Sequence, residues 1–491
     1  MTEHTFPYIS LMLLSLPLAA ILIWLLDVRL ARWVALGAAL LDLALAVAMV
    51  VAFDSSVGEF QFVESAVWIP TLNIHYQMGV DGISLLFLPL TTLLFLGVVV
   101  ISWNSVRTMP RLYFILLLLL ETATLGIFTA LDTMAFFLFW ELSLIPSFFL
   151  ISLWGVGPNR RFAASKYIMQ MLIGGVPLLF GFLLLAFNHA DGGLVFDYLR
   201  LLSEPLGQEP QGVVFLLLLL GFAVKTALFP LHTWLPTVAM EGPLGLTAIL
   251  LGIKLGVYGL IRFAIPLAPE AAQQFHWLLA GLGVIALLYG ALMALVQTNL
   301  RRMLAFSSMS HVGLVVLGLA SFNIEGIQGA LFALLNFTVI SGGLVLLTAM
   351  LHQRIGTNEV ITLGGVATTM PLLAALFFLF ALASMGIPGT NGFIAEFLLI
   401  IATLKSHTGA GLAALFALIL GAGYLLAHYR RVFYGVARSQ AILAAQDIRG
   451  RELLLIAVLA VIVLVTGLYP SVILDTTRSA AELWLNGRNM P

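Results

Sequence analysis

Two apolar stretches interrupted by proline set the architecture: LLLLLGFAVKTALFPLHTWLP (216–236) and ALASMGIPGTNGFIAEF (381–397). Each reads as a membrane-spanning helix that breaks at its internal proline, Pro230 in the first stretch and Pro388 in the second. Proline frees a backbone carbonyl from the helical hydrogen-bond ladder, and a bilayer tolerates this only where protein or a watery cavity satisfies that carbonyl. The two stretches therefore predict broken helices that line a polar path.

The composition places the chain in a membrane. Of 491 residues, 22 are Lys or Arg and 23 are Asp or Glu, so 9% is charged, against about a quarter in soluble proteins. With 61% hydrophobic residues, the composition excludes a secreted disulfide-rich domain, a nucleic-acid-binding protein and a disordered chain. The sequence has no Cys, which excludes iron–sulfur clusters and thiolate zinc sites on this chain. Any redox chemistry is therefore expected in partner proteins.

Apolar runs predict an all-α polytopic membrane protein with about 14 transmembrane helices. The loops between them are short, so no extramembrane domain is expected. The first run lacks a basic start and a cleavage site, which predicts a retained span. The predicted spans are 8–26, 33–53, 83–103, 112–131, 133–154, 167–187, 213–236, 245–265, 276–297, 303–321, 327–350, 367–387 with a short piece near 391–405, 409–434 and 452–474.

The two breaks lie five helices apart in this prediction. That spacing suggests two inverted five-helix repeats, the arrangement of ion-handling transporters. The single transmembrane domain, 1–491, then consists of three N-terminal helices, two repeats, and a last helix with its tail. The predicted boundaries of these parts are 1–111, 112–265, 276–434 and 452–491.

Basic residues in the loops predict the orientation, because they concentrate in cytoplasmic loops. The side with most of them is predicted to face the cytoplasm of a bacterial cell, with the chain in the inner membrane. Both termini and the acidic 54–82 loop then lie outside. The predicted cytoplasmic set is Arg29, Arg32, Arg107, Arg111, Arg160, Arg161, Lys166, Arg301, Arg302, Arg354, Arg430, Arg431, Arg438, Arg449 and Arg451, and the opposite set is Arg200, Arg262, Lys405, Arg478 and Arg488.

Several ionisable residues lie deep in the apolar runs. Each costs about 2.5–3.5 kcal/mol at a helix centre, so an unpaired and purposeless set would exceed the whole stability of an ordinary protein. Some of them are therefore expected to be paired, hydrated or functional. They are Asp42, Glu121, Glu141, Lys225, Lys254 and Glu396.

Glu141, in FFLFWELSLIP, and Lys225, in GFAVKTALFP, both lie near mid-span. Burial disfavours the charged form of each side chain, while their mutual attraction favours it. A proton could move when that attraction is modulated, so we expect an input pair for proton transfer. The alternative is a static ion pair that ties span five to span seven.

The other buried charges divide into two groups. Lys254 lies centrally in its span, which favours a relay role over snorkelling to the membrane surface. Glu396 follows Pro388 on the short half of a broken helix, where unwound backbone and water can share its charge. The alternative for Glu396 is an interfacial carboxylate at a helix end. Asp42 and Glu121 are expected to face a neighbouring subunit or to cap a polar contact.

His232, in PLHTWLP, and His311, in FSSMSHVGL, are possible proton carriers, because histidine titrates in the useful range. Three serines close to His311 in the sequence provide polar neighbours: Ser307, Ser308 and Ser310. The alternative is that each histidine is simply hydrogen-bonded. A metal site is not expected, since neither histidine has a second histidine or a carboxylate at i+3 or i+4.

Four segments carry a resemblance that covers nearly the whole chain. The sequence resembles the proton-translocating membrane subunits of respiratory complex I, and within them the family of NADH-quinone oxidoreductase subunit M, or chain 4. This implies an antiporter-like fold with helices seven and twelve broken. The segments are FWELSLIPSFFLISLWG (139–155), VKTALFPLHTWLPTVAMEGP (224–243), RRMLAFSSMSHVGLVVLG (301–318) and MGIPGTNGFIAEF (385–397).

The resemblance also implies roles for individual residues. Glu141 matches the family's helix-five glutamate, Lys225 and Lys254 match the lysines of helices seven and eight, and Glu396 matches the helix-twelve glutamate. Subunits similar to chains 2 and 5, and the large Mrp-type antiporter subunits, usually carry lysine at that last position. One departure concerns helix eleven, where the family's Leu-Asn-His-Gly is replaced here by Leu-Asn-Phe-Thr at 335–338.

The function implied by the resemblance is proton translocation within NADH:quinone oxidoreductase, by a subunit without a redox centre, cofactor or metal of its own. NADH, FMN, Fe–S clusters and quinone are then expected in partner subunits, with chain 2 and chain 5 type subunits as neighbours in the lipid bilayer. The alternatives are an Mrp-type cation/proton antiporter subunit, the membrane arm of a hydrogenase, formate hydrogenlyase or inorganic-carbon uptake complex, and a scaffold with inert charges.

Overall fold

The computed structural model describes residues 6–189, 193–204 and 206–486. In these ranges, twelve helices are long and apolar enough to cross a membrane. Two shorter apolar helices, Pro210–Thr226 and Pro371–Ser384, fall in predicted spans seven and twelve. The predicted all-α membrane fold is confirmed, while the count of about 14 spans and the inverted repeats stay predictions.

The elements follow the predicted spans along the chain. The first part contains α1 (Tyr8–Leu25), α2 (Ala31–Ala52), β1 (Gln61–Ile69), β2 (Ile74–Val80), α3 (Phe87–Ser105), α4 (Pro110–Thr129), α5 (Thr133–Leu142), α6 (Leu144–Trp154), α7 (Arg160–Asn188), α8 (Tyr198–Ser203), α9 (Gln208–Thr226), α10 (Trp234–Glu241), α11 (Leu244–Gly252) and α12 (Leu255–Gly259). The second part contains α13 (Pro269–Gln274), α14 (His276–Leu295), α15 (Leu300–Leu319), α16 (Ile324–Ile355), α17 (Pro371–Ser384), α18 (Asn391–Ser406), α19 (Thr408–Phe433), α20 (Gln440–Ala444), α21 (Arg451–Leu468) and α22 (Ser471–Asn486).

Helix α16 forms the centre of the molecule. It packs against α3 and α11 on one side and against α15 and α18 on the other. Small residues permit this close approach: a Cβ added at Gly342 would lie 2.9 Å from a Leu94 methyl, and one at Gly343 would lie 2.7 Å from the Phe380 ring. Membrane helices associate through such small-residue contacts, so α16 holds the two halves of the chain together.

Both predicted breaks are present. Helix α9 ends at Thr226, where Ala227 adopts a left-handed conformation with φ 61°, and α10 begins only at Trp234. Helix α17 ends at Ser384, and α18 begins at Asn391 after two glycines with positive φ. The breaks thus lie where the prolines placed them.

A third break, in predicted span eight, was not expected. Helix α11 ends at Gly252, and Ile253 and Lys254 are non-helical before α12 begins at Leu255. The predicted span 245–265 corresponds to the apolar segment Leu244–Ala264, and the break inside it was not predicted because no proline marks this position. The Gly252 carbonyl at this break accepts a hydrogen bond from another helix, because Thr338 Oγ1 of α16 donates to it at 3.4 Å.

The predicted 54–82 loop contains an antiparallel hairpin of β1 and β2. The hairpin also caps a helix, because the Glu64 carboxylate accepts hydrogen bonds from the backbone N–H groups of Ile9, at 2.8 Å, and Ser10, at 2.9 Å. A carboxylate at a helix N-terminus is favoured by the unpaired N–H groups and by the helix dipole. The hairpin therefore fixes the start of α1.

The last predicted span, 452–474, extends too far. Helix α21 ends at Leu468, and Pro470 separates it from a further helix, α22. Proline disfavours the helical conformation of the residue before it, and Tyr469 accordingly has φ −124° and ψ 69°. Trp484 of α22 is buried, and its indole N–H donates to the Ile261 carbonyl at 2.7 Å, so α22 folds back onto the first half of the chain.

Candidate functional site

Glu141 lies next to the last residue of α5 and is partly buried. Its Oε1 has no hydrogen-bond partner among the described residues. This oxygen faces Gly175 of α7, where an added Cβ would lie 2.3 Å from it. Asp132 caps α5 by accepting from the N–H groups of Met134 and Ala135 at 2.9 and 3.0 Å. The Glu141 carboxylate thus packs against α7 at a position where any side chain larger than that of glycine would collide with it.

Lys225 lies in the last turn of α9 and turns its ammonium toward the junction of α5 and α6. The Nζ donates to Ser143 Oγ at 2.8 Å and to the Trp140 carbonyl at 3.3 Å. It also lies 3.9 Å from the centre of the Trp140 ring, a favourable cation–π distance. The ammonium therefore has three partners around a single turn of the chain.

No direct salt bridge joins Glu141 and Lys225, since no nitrogen–oxygen contact within 4.0 Å links them in the described part of the chain. Their charges still act on each other electrostatically. The physical reason is the turn at Ser143, whose hydroxyl and neighbouring carbonyl supply closer partners than the carboxylate does. A static ion pair, the alternative considered for these residues, is not supported.

Lys254 lies at the unexpected break between α11 and α12. Its side chain is buried, and its Nζ donates to Ser308 Oγ of α15 at 2.5 Å and to the Leu250 carbonyl at 3.5 Å. The lysine therefore does not snorkel to a membrane surface. It links the first half of the chain to the second through one hydroxyl.

His311 lies one turn further along α15 and meets the break between α17 and α18. Its Nδ1 lies 2.8 Å from the Ser307 carbonyl, and its Nε2 lies 3.0 Å from the Ser384 carbonyl. A neutral imidazole can donate to only one of these acceptors, whereas a protonated ring donates to both. Both ring nitrogens of His311 thus face an acceptor, and a neutral ring leaves one of these two contacts without a proton.

Glu396 completes this group. Its Oε1 lies 3.6 Å from His311 Nε2, and the residue is 8% exposed. Because the carboxylate is buried, it is not the interfacial group considered as an alternative. Its other oxygen faces Gly386 in the break, where an added Cβ would lie 2.0 Å away.

Phe337 lies beside both residues, in place of the histidine usual in the resembled family. The Phe337 and His311 rings are 6.0 Å apart between centroids. His311, Phe337 and Glu396 line a cavity of about 30 Å³, enough for about two water molecules. Asn336 anchors this region, since its Nδ2 donates to the Asn391 carbonyl at 2.8 Å where α18 begins.

Tyr424 of α19 is a polar neighbour that the sequence did not indicate. Its hydroxyl lies 2.7 Å from Ser307 Oγ. It also lines, with His311 and Ser310, a small cavity on the other side of α15. Its distance along the chain from the serines leaves no local signal, whereas Ser307 and Ser308 were predicted from their spacing to His311 on one helix.

His232 is separate from these contacts. It is 6% exposed, and its Nδ1 has no hydrogen-bond partner among the described residues. It lines a cavity of about 410 Å³ and stacks on Phe229, with Tyr289 edge-on at 5.0 Å. Within the described residues no hydrogen bond joins it to Lys225 or Lys254, so a relay role for His232 would need water.

Asp42 and Glu121 lie together in the N-terminal helices. Both are fully buried, and Asp42 Oδ1 accepts a hydrogen bond from Ser15 at 2.5 Å. Neither oxygen of Glu121 has a partner in the described ranges, and the Asp42 charge acts on it. The two carboxyl groups therefore lie inside the chain rather than against a neighbouring subunit.

Metal ligands do not cluster in the described residues: no group of three or more His, Asp or Glu side chains is placed to hold an ion there. The polar groups above can instead exchange protons along hydrogen bonds and water. Lys254 and Glu396 both contact α15, because Ser308 and His311 lie one turn apart on that helix.

Residues 130–421 match the family described as "NADH:quinone oxidoreductase/Mrp antiporter, TM". The chain belongs to this family. NADH-quinone oxidoreductase subunit M of Rickettsia conorii is 35% identical over 452 residues, which cover 92% of this chain and 91% of the relative. The resemblance to subunit M is thereby confirmed.

Solved structures share the fold of this chain. A chain of respiratory complex I from Thermus thermophilus with bound NADH superimposes with a TM-score of 0.90 at 31% identity, covering 98% of this chain and 99% of that one. A chain of the Mrp complex from Dietzia sp. DQ12-45-1b has a TM-score of 0.84 at 24% identity, covering 98% of both. The latter shows a shared fold alone.

The family match covers the whole of the candidate site. Glu141, Lys225, Lys254 and Glu396 all lie within residues 130–421. Asp42 and Glu121 lie outside that range, so the family comparison says nothing about their roles.

Proposed function

We propose that this chain is the proton-translocating, subunit M type membrane subunit of an NADH:quinone oxidoreductase. One observation carries the proposal: helix α15 receives the Lys254 ammonium on Ser308 and places His311 3.6 Å from the Glu396 carboxylate. In a member of this family, that arrangement provides a connection between a buried lysine and a buried glutamate from opposite halves of the chain.

In the first half, the Glu141 charge sets how firmly Lys225 keeps its proton. Electron transfer in partner subunits alters the protonation or surroundings of Glu141, and a neutral Glu141 attracts the ammonium less. Lys225 then releases its proton toward Lys254. Since no direct hydrogen bond joins the two lysines in the described structure, this step uses water.

In the second half, the proton passes from Lys254 to Ser308 and His311, and then to Glu396. His311 can hold it briefly because both of its ring nitrogens face carbonyl oxygens. Glu396 receives it through the contact with Nε2 or through water in the cavity of about 30 Å³. The route runs along α15, past Phe337, which carries no proton. His232 serves as a second, water-linked carrier on the 410 Å³ cavity.

The partners follow from this function. NADH, FMN, Fe–S clusters and quinone belong to other subunits of the complex, and chain 2 and chain 5 type subunits flank this one. Purifying the assembled complex tests this directly: NADH-driven quinone reduction with proton uptake into vesicles is expected. Cation/proton exchange without NADH oxidation would instead identify an Mrp-type antiporter subunit, and hydrogen-linked turnover would identify a hydrogenase arm.

The orientation is part of the proposal: both termini lie outside the cytoplasm of a bacterial inner membrane. Because the chain has no Cys, single-cysteine labelling is clean. With Ser56→Cys and Ser439→Cys in separate variants, an impermeant reagent applied to intact cells is expected to label only the first. Both serines are exposed or partly exposed, so labelling of the second alone would reverse the topology.

A further inference from the structure

A cavity of about 410 Å³ opens between α7, α10, α14 and α15. It lies at the ends of these helices that carry the basic loops, since Arg302 is close to the start of α15 and Glu241 is the last residue of α10. Its volume is within the range of small-molecule sites in proteins. The cavity therefore lies at the helix ends that are predicted to face the cytoplasm.

The charge of this cavity is positive. Lys166 and Arg302 line it, and neither forms an ion pair within the described residues. The Lys166 Nζ donates only to the Thr237 hydroxyl, at 3.0 Å. Glu241 is the one carboxylate in the lining, and its Oε2 accepts the Asn159 N–H at 2.7 Å.

Glu241 offsets one of the two positive charges at most, and it has partners of its own. Besides the Asn159 N–H, it acts electrostatically on Arg301, whose guanidinium donates to the Gly242 carbonyl at 2.6 Å. Lys166 and Arg302 thus present an excess of positive charge to whatever enters the cavity.

The remaining walls combine three polar residues, His232, Thr233 and Thr237, with five mainly apolar ones. Met240, Met293, Tyr289, Phe306 and Pro236 line the cavity beside the two cations. An occupant that satisfies both surfaces has a negatively charged group joined to an apolar body. A phosphate joined to acyl chains has this form, whereas inorganic phosphate would leave the apolar walls uncovered.

We propose that this cavity binds the phosphate headgroup of an anionic phospholipid from the surrounding leaflet. Lys166 and Arg302 hold the phosphate, the Thr233 and Thr237 hydroxyls supply further polar contacts, and the methionine and aromatic side chains contact the start of the acyl chains. Basic pockets between membrane helices on the cytoplasmic side bind anionic headgroups for this electrostatic reason. The inference goes beyond the proposed relay along α15 and does not depend on it. His232 lines the same cavity, so its water-linked role requires water beside the headgroup.

The test is lipid retention by the purified full-length chain in detergent, measured by native mass spectrometry. The probes are phosphatidylglycerol, phosphatidylcholine and inorganic phosphate, added separately. Phosphatidylglycerol is expected to remain bound preferentially to the unaltered chain. Combining Lys166→Gln with Arg302→Gln is expected to weaken retention about fivefold for each charge removed, since one basic residue near a lipid surface contributes that much.

The matched control removes two basic residues of the same predicted side that do not line the cavity, Arg161→Gln with Arg431→Gln. It is expected to retain phosphatidylglycerol as the unaltered chain does. Equal loss in both double variants would mean general surface electrostatics, and equal retention of phosphatidylcholine would mean that the cavity does not select anionic lipid. Occupancy by inorganic phosphate that excludes phosphatidylglycerol would make a free anion the ligand. Each of these three results overturns the proposal, and size-exclusion elution confirms that the variants are folded.

Discussion

The break at 227–233 and the break at 385–390 interrupt two helices in related ways, yet they hold opposite charges. At the first, Lys225 lies in the last turn of α9, the negative end of the helix dipole. At the second, Glu396 lies in the second turn of α18, nearer to a positive end. The sign of the buried charge thus follows which half-helix carries it. Related breaks can therefore carry a buried charge of either sign, a lysine in one and a glutamate in the other.

The two breaks also differ in how their charges are partnered. Lys225 is surrounded by Ser143, a carbonyl and the Trp140 ring, while its electrostatic partner Glu141 lies on another helix. Glu396 has His311 within 3.6 Å and a cavity beside it. We therefore expect the first break to respond to a distant charge and the second to exchange protons by contact.

The largest effect is expected at the first break. Glu141→Gln removes the charge that acts on Lys225 while preserving the size of the side chain. Proton pumping by vesicles should fall about tenfold or more, which corresponds to at least about 1.4 kcal/mol of coupling, while the complex still assembles. The control is Glu270→Gln, at an exposed carboxylate away from the relay. Unchanged pumping at normal subunit content would remove Glu141 from the relay.

At the second break, the sign of the charge is tested by three substitutions of Glu396. A carboxylate becomes neutral when it accepts a proton, whereas a lysine becomes positive, so the two impose opposite fields on Lys254 and His311. Glu396→Lys and Glu396→Gln should both impair quinone-linked proton translocation several-fold at equal complex content. Glu396→Asp should be milder, because it keeps a titratable carboxylate. If lysine supports pumping and aspartate does not, reach or packing governs this position rather than charge.

These two breaks were predictable because proline acts locally. Pro230 and Pro388 cannot continue a helical ladder, and that property is written in the sequence itself. The break at Lys254 has no such signal, since it depends on Thr338, a residue of another helix that bonds the Gly252 carbonyl. Tertiary contacts of this kind cannot be read from local sequence.

The burial of the candidate residues was predicted better than their contacts. Glu141, Lys225, Lys254 and Glu396 were singled out because a charge inside an apolar run is costly unless it is paired, hydrated or functional. The electrostatic interaction between Glu141 and Lys225 is present, but the hydrogen bonds of the Lys225 ammonium go to the turn at Ser143. Charge complementarity in a sequence does not reveal which polar atoms a fold brings within hydrogen-bond distance.

Glycine substitutions compare the two sites by steric crowding of their carboxylates instead of by a change of charge. In Gly175→Ala the new Cβ would lie 2.3 Å from Glu141 Oε1, and in Gly386→Ala it would lie 2.0 Å from Glu396 Oε2. Each variant should displace its carboxylate and reduce pumping. Only Gly386 has a positive φ, 64°, so only its variant should also lose about 1–3 kcal/mol of stability, measured by thermal inactivation of the solubilised complex.

The control for this pair is Gly281→Ala in α14, where an added Cβ meets nothing within 4 Å. It should leave both pumping and stability unchanged. A loss of stability at Gly175 equal to that at Gly386 would show that crowding, and not backbone strain, dominates at the second break.

The smallest effect is expected from Phe337→His, which sharpens the role of His311. Among the described residues that line the cavity of about 30 Å³, His311 supplies the imidazole, so His311→Gln should lower pumping about fivefold, or by about 1 kcal/mol of coupling. A histidine at 337 would face the same cavity and could pass the proton between Lys254 and Glu396 by itself. In that background His311→Gln should therefore cost only about twofold, and a double-mutant cycle reports the difference. Phe337→His alone should change pumping little, since the route along α15 is already complete. Equal losses in the two backgrounds would mean that the residues act independently, and the second break would then differ from the first only in the sign of its charge.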